Sequence, residues 1–252
     1  LQEHEYFNAP TPVVLAHRGG STHTENTLET FKDALQAGVF SIETDVRTTK
    51  DSIAILFHDE DLQRVAGIDK KISDSTFSEI QKIQLIGGGK VPTLVQALEA
   101  LPLARFNLDI KDQESVKTTA AAIELTKSHH RVLVSSFSEK RRTAALALLS
   151  KPVATSASAK KVIQLWLIHS FRLSQRLIEQ TLQNIGAIQI PRQMYGIKLD
   201  SRSFISKVRK TNTHVHYWTI NNPQEMLELT ARGATGIVSD VSELAVHTLR
   251  KA

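Results

Sequence analysis

The sequence predicts an α/β fold, a TIM-type (β/α)8 barrel with a small rim insertion after the second strand. Three observations predict it. Eight short runs rich in β-branched residues alternate with segments whose apolar residues recur at helical spacing. Several of these runs end in polar residues with chemistry, where a barrel of this kind keeps its active groups. The glycine-rich phosphate loop of an open, doubly wound sheet is missing.

The strands are expected at 13–16, 42–46, 105–110, 131–135, 152–154, 187–190, 214–219 and 236–239. Between them, Leu28, Phe31, Ala34 and Leu35 before Gly38 read as one helix, and Leu94, Ala97, Leu98 and Leu101 as another. Met226, Leu227, Leu229 and Thr230, ending at Gly233, read as a third. The run 53–57 follows the turn Thr49-Lys50-Asp51-Ser52 and reads as an extra antiparallel strand on the rim. Residues 59–90 form a polar, loop-rich excursion before Pro92 starts the next helix. Loops of that length in a compact domain are usually functional. Residues 1–252 read as one barrel domain, with 59–90 as its insertion.

Apolar residues make up 41% of the 252 and charged residues 23%, enough to build a sizeable core. The net charge of +5 is mild. Its densest spots, Lys140-Arg141-Arg142 and Lys160-Lys161, read as solvated helix faces without a nucleic-acid motif, so no nucleic-acid partner is expected. The absence of cysteine excludes disulfides and thiolate metal sites. Leu1-Gln2-Glu3-His4-Glu5 carries no apolar signal core, which gives a cytoplasmic expectation. The most apolar window, 162–171, is interrupted by Gln164 and His169 and is too short to span a bilayer, so no stable membrane insertion is expected. Its part 162–168 is a candidate for an apolar face near the rim, but as a helix it is apolar nearly all round and therefore reads as buried core.

The chemistry is concentrated in the first half. His17-Arg18-Gly19 ends the first strand, and Glu25-Asn26-Thr27 opens the first helix. Asn26 with Glu29 three residues later has capping-box spacing, so Asn26 reads equally as a helix cap. Glu43 and Asp45 lie two apart on the second strand and share a face. If that face is the barrel interior, two buried carboxylates call for a hard divalent cation; the alternative is a surface strand whose carboxylates face solvent or pair with Arg47. Asn107, Asp109 and Lys111 share one face of the third strand, with Asp109 as a third carboxylate and Lys111 as a partner for a phosphate oxygen. The alternative there is a plain Asp109–Lys111 ion pair. His58-Asp59 closes the extra strand, so two histidines, His17 and His58, end apolar runs and are equipped for proton transfer near neutral pH. Trp218 has two readings, an apolar pocket wall and a core tryptophan.

The ordered set His-Arg-Gly, Glu-Asn-Thr, Glu-x-Asp-Val and His-Asp, followed by Asp109-Ile110-Lys111, Val134-Ser135-Ser136-Phe137, Trp218-Thr219-Ile220-Asn221 and Gly236-Ile237-Val238-Ser239-Asp240, resembles the glycerophosphodiester phosphodiesterase family from about Val13 to Asp240. The resemblance implies a TIM barrel that hydrolyses small glycerophosphodiesters to glycerol 3-phosphate and an alcohol, with one divalent cation, Ca2+ or Mg2+. By motif match, Glu43, Asp45 and Asp109 are the metal ligands, His17 and His58 the catalytic acid–base pair, and Arg18 and Lys111 the residues that hold the phosphate; Trp218, in its reading as a pocket wall, joins them as a substrate-binding residue. Two other readings are a phospholipase D-like enzyme acting on lysophospholipids and a non-catalytic barrel binding headgroups. The sequence departs from the family pattern at Asp109, where a Glu is usual, and at Ser52, where a Gly is usual.

Overall fold

The computed structural model describes residues 4–194 and 196–250, so Leu1, Gln2 and Glu3 of the polar start lie outside the described residues. Eight parallel strands form the barrel: β1 (Val13–His17), β2 (Ser41–Thr48), β3 (Phe106–Ile110), β4 (Val132–Ser135), β5 (Ala154–Thr155), β6 (Ala187–Ile190), β7 (His214–Tyr217) and β8 (Gly236–Ser239). They pair in the order β5-β4-β3-β2-β1-β8-β7-β6. A single bridge, Ser156 to Ala187, joins the two ends of that order and all but closes the barrel. The fifth strand is short, at 154–155 rather than the expected 152–154, and the seventh stops at Tyr217 rather than Thr219.

Two single-turn helices, Gln63–Ala66 and Phe77–Ile80, lie within the insertion. The helices outside it are α1 (Leu28–Ala37), α2 (Leu94–Ala100), α3 (Ser115–Thr126), α4 (Glu139–Leu146), α5 (Ala159–Ser170), α6 (Gln175–Thr181), α7 (Arg202–Arg209), α8 (Pro223–Ala231) and α9 (Ser242–Arg250). Their apolar stripes meet the outward residues of the strands, among them Val14, Ala16, Ile42, Val46, Leu108 and Ile237, in one continuous core. Arg142, expected on a solvated face, is instead buried and donates to Glu139 and Thr155. The window 162–171 is buried on one side only, through Val162, Leu165 and Ile168, while Ile163 and Leu167 are exposed.

The inward positions follow the strand period of two. Register sets His17 beside Glu43, Glu43 beside Asn107, and Asp45 beside Asp109. The opposite end of the barrel is filled by the N-terminal turn Glu5–Phe7. Tyr6 donates or accepts a 2.8 Å hydrogen bond with Ser41, and Phe7 stacks on His214 at 4.5 Å. Gly186 permits this, because a Cβ there would lie 2.3 Å from the Phe7 ring.

The run over 53–57 pairs antiparallel with β2 as expected, through Ala54–Leu56. The excursion over 59–90 is more ordered than expected. It holds a two-stranded ribbon, Asp61–Leu62 with Ile68–Lys71, and buries Leu62, Val65, Ile72, Ile80 and Leu85 in a small core with Ile55, Phe57 and Val91. Among the described residues no helix is long and apolar enough to cross a membrane.

Candidate active site

All eight residues singled out in the sequence line one cavity of about 260 Å³ at the carboxyl ends of the strands. His17 ends β1, where its Nδ1 lies 2.6 Å from the Asp240 carboxylate and its Nε2 lies 3.9 Å from Glu43. Asp240 is itself fixed, since Asn221 donates to it at 2.7 Å. His58 has the same arrangement on the other side, with Nδ1 2.6 Å from Asp59, and Arg64 donates to Asp59 at 2.6 Å. Each carboxylate accepts a hydrogen bond from Nδ1–H of its histidine and so leaves Nε2 as the working nitrogen of the ring.

The carboxylates are deep. The side chains of Asp45 and Asp109 are 2% and 8% exposed, and that of Glu43 is 13% exposed. Burial, and then the charge of Asp45, push the Glu43 carboxyl up to about 7. Burial would raise Asp45 too, but Lys111, then His58 and Arg18, hold it below the usual carboxylate range. Lys111 Nζ lies 2.8 Å from Asp45 and 2.7 Å from Asp109. These carboxylates hold its ammonium well above its ordinary value against the opposing effect of burial. The Asp109–Lys111 pair, the alternative to a cation site in the sequence, is therefore formed. With Lys111 between the two aspartates, no group of three or more His, Cys, Asp or Glu side chains among the described residues is already arranged as a metal cage. Asp109 Oδ1 nevertheless stays buried without a hydrogen-bond partner, as does Arg18 Nε. Arg47 does not pair with Glu43 or Asp45; it meets Asp112 at 3.6 Å and the His58 carbonyl at 2.8 Å.

Asn26 is not the helix cap. Thr27 caps α1 by accepting from the Thr30 N–H, while Asn26 adopts a φ of 58°. Its amide donates to Asp45 and accepts from Thr44 at 2.7 Å, so it braces the carboxylate from below. Arg18 also sits at positive φ, with its N–H donating to Glu43 and its guanidinium to Glu25. Glu25 takes two further bonds from Arg64, which ties the insertion to the mouth. Asp240, Asp59, Glu25 and Asn221 are thus site residues that the sequence motifs contain but that sequence reasoning gave no role. Adjacency to His58 was the one local signal, and it pointed to Asp59.

The other wall of the cavity is apolar. Trp218 and Phe137 meet edge to face at 5.9 Å, and Lys111 Nζ lies 5.9 Å from the Phe137 ring centre. Ala157, Val162, Ile190 and Met194 continue that wall. Trp218 is therefore a pocket residue. The arrangement offers a surplus of oxygen ligands, two cations for an anionic group, and two imidazoles at one small cavity.

Residues 17–244 match the model of the glycerophosphoryl diester phosphodiesterase family. A relative in Mycobacterium tuberculosis, named "Probable glycerophosphodiester phosphodiesterase 2", is 33% identical over 95% of this chain and 91% of its own length. The crystal structure of the glycerophosphodiester phosphodiesterase of Thermotoga maritima superposes with a TM-score of 0.74 at 27% identity, covering 95% of this chain and 99% of that one. A phosphodiesterase of Oleispira antarctica, solved with the product sn-glycerol-3-phosphate, gives a TM-score of 0.76 over 95% of this chain and 97% of that one; at 23% identity the likeness concerns the fold.

Proposed function

We propose, from the premise that this chain belongs to the glycerophosphoryl diester phosphodiesterase family, that it cleaves small glycerophosphodiesters to glycerol 3-phosphate and an alcohol, using His17 and His58 as acid and base and one divalent cation held by Glu43, Asp45 and Asp109. The chain is a phosphoric diester hydrolase. The observation that carries the finer reading is the convergence of those five residues with Arg18 and Lys111 around one cavity.

The donor set suits Ca2+ or Mg2+, which take oxygen ligands. Asp109 Oδ1 lacks a partner, and burial, followed by the charge of Asp45, pushes the Glu43 carboxyl up to about 7. Both are signs of carboxylates short of a counter-charge. A bound cation would draw off negative charge as it builds on the phosphoryl oxygens. Lys111 and Arg18, whose Nε lies 3.5 Å from Asp45, would bind those oxygens. Lys111 would then give up part of its contact with Asp45 and Asp109.

With Nδ1 of both rings engaged by Asp240 and Asp59, Nε2 of one histidine takes the proton of the attacking hydroxyl as the new P–O bond forms. Nε2 of the other gives a proton to the departing alkoxide. The neighbouring glycerol hydroxyl is the favoured attacker, because it is already held beside the phosphorus. The resulting cyclic phosphate is opened by water with the two roles reversed. Asp240 and Asp59 act as positioning residues, and Trp218 with Phe137 forms the apolar wall against the carbon skeleton.

The test is an assay of sn-glycerol 3-phosphate released from glycerophosphocholine, run beside lysophosphatidylcholine with Ca2+ or Mg2+ present. Turnover of the first well above the second is expected. A preference for the lysophospholipid gives the phospholipase D-like reading instead, and binding without turnover of any glycerophosphodiester leaves a headgroup-binding barrel.

A further inference from the structure

The side of the barrel built by α5 and α6 carries large apolar side chains in the open. Ile163 is 44% exposed, Leu167 39% and Phe171 72%, with Leu173 at 45% and Leu177 at 38%. Ile163, Leu167 and Phe171 are four apart, so they form one stripe along α5 into the turn after it. Leu173 and Leu177, again four apart, extend the stripe into α6. The other side of α5 is occupied by Val162, Leu165 and Ile168 in the core, so the exposed stripe is surplus to folding.

The charges around it are mostly basic. Helices α5 and α6 with the turn between them carry Lys160, Lys161, Arg172 and Arg176 against the single acid Glu179, and α7 adds Lys207 beside His169, while Arg202 and Arg209 turn to the carbonyls of Ala231 and Thr213. The whole chain has a net charge of only +5, so the rest of the molecule is close to neutral. The three helices form one surface: Lys161 donates to the Thr181 carbonyl, Gln175 to the Lys207 carbonyl, and His169 packs edge-on against Phe204 at 5.4 Å.

We infer that this face docks on an anionic lipid bilayer. Exposed Phe, Leu and Ile enter the boundary between headgroups and acyl chains, while the surrounding lysines and arginines meet anionic headgroups. Basic side chains around an apolar stripe complement that surface on both counts. The chain stays peripheral, in keeping with the absence of a membrane-spanning helix among the described residues. Helix α5 also supplies Ala159 and Val162 to the cavity wall, so docking sets the active barrel beside the membrane. The inference does not rest on the proposed reaction.

Co-sedimentation of the full chain with phosphatidylcholine vesicles, with and without phosphatidylglycerol, tests it. Binding is expected only where phosphatidylglycerol is present, and it should weaken as salt is raised. Phe171→Ser and, separately, Arg172→Gln with Arg176→Gln should each weaken it about tenfold or more, by loss of apolar insertion and of basic contacts respectively. Thermal melts of these exposed-site variants should match the parent. Failure of the parent to bind phosphatidylglycerol vesicles overturns the inference. So does equal binding by parent and variants. A self-association that Phe171→Ser abolishes, with no vesicle binding, assigns the stripe to a second copy of the chain and also overturns it.

Discussion

At the amino ends of the barrel strands the interior is shut: Tyr6 and Phe7 fill the opening, bonded to Ser41 and stacked on His214, with Leu133, Ala154 and Ala187 around them. At the carboxyl ends of the same strands the interior is open, charged and under-partnered. The inward positions run from one condition to the other in steps of two residues, as Val13, Leu15 and His17 on β1, and Ser41, Glu43 and Asp45 on β2. A strand can therefore hold the barrel together with its first inward residues and spend stability on chemistry with its last. Unpartnered polar atoms begin midway, at Asn107 Oδ1 and His216 Nε2, and reach Asp109 and Arg18 at the mouth.

Substitutions at the two ends should separate activity from stability. The largest effect is expected at the mouth, where His17→Ala and His58→Ala should each lower kcat by about 10²–10⁴, the usual worth of a positioned acid or base. Their melting temperatures should stay near the parent's. A variant with near-normal kcat removes that histidine from the mechanism. The converse holds at the closed end. Phe7→Ala should cost about 3–5 kcal/mol in urea unfolding, as for other large buried aromatics, and leave kcat of the folded fraction unchanged. A large fall in kcat there would join the two ends that the comparison keeps apart.

The middle of the barrel gives a pH test. Burial, then His214 and Arg209, push the fully buried His216 down to about 3. Its folded value lies below its unfolded one, near 6.5, so between those values the unfolded chain takes up a proton that the folded chain refuses. Stability must then fall as pH drops from 6.5 toward 3. At pH 4.5 this costs about 2–3 kcal/mol relative to neutral pH. His216→Gln, which cannot titrate, should lose that part of the pH dependence in urea melts at pH 7 and 4.5; an unchanged difference would mean that His216 is not the group responsible. The smallest effect is expected at the rim, where Ser52 holds a φ of 62° in the turn before the extra strand. Ser52→Gly should raise stability by up to about 1 kcal/mol, since a left-handed conformation costs a non-glycine residue about that much. A loss would show that the serine side chain contributes more than the strain.

The barrel was legible because its signals are local. Alternation fixed which residues of 42–46 and 105–110 face inward, and register then brought Glu43, Asp45, Asp109 and Lys111 together. Legibility failed where a residue's partner is distant. Asp240 lies 223 positions from His17, and nothing near either one announces the pair. Asn26 has capping-box spacing with Glu29, yet Asp45 and Thr44 claim its side chain and leave the cap to Thr27. The apolar residues of the insertion, from Leu62 to Leu85, are too sparse and irregular to show a period, so its small core could not be read from pattern. The exposed side of α5 was hidden by the opposite difficulty, since a helix apolar nearly all round gives no sign of which face is covered.

The central claim is that the three carboxylates at the mouth hold a divalent cation needed for turnover. It is tested most directly by stripping the protein with a chelator, titrating Ca2+ or Mg2+ back in a calorimeter, and following glycerophosphocholine hydrolysis in parallel. The account predicts one cation per chain, activity that vanishes with the chelator and returns with the metal, and weaker binding in Asp109→Asn, which loses a ligand charge. Asp109→Glu should retain the site or crowd it, and in either case should change the affinity. Undiminished turnover in excess chelator, with neither Asp109 variant altering affinity or activity, would contradict the account and leave Asp109 as no more than the ion-pair partner of Lys111.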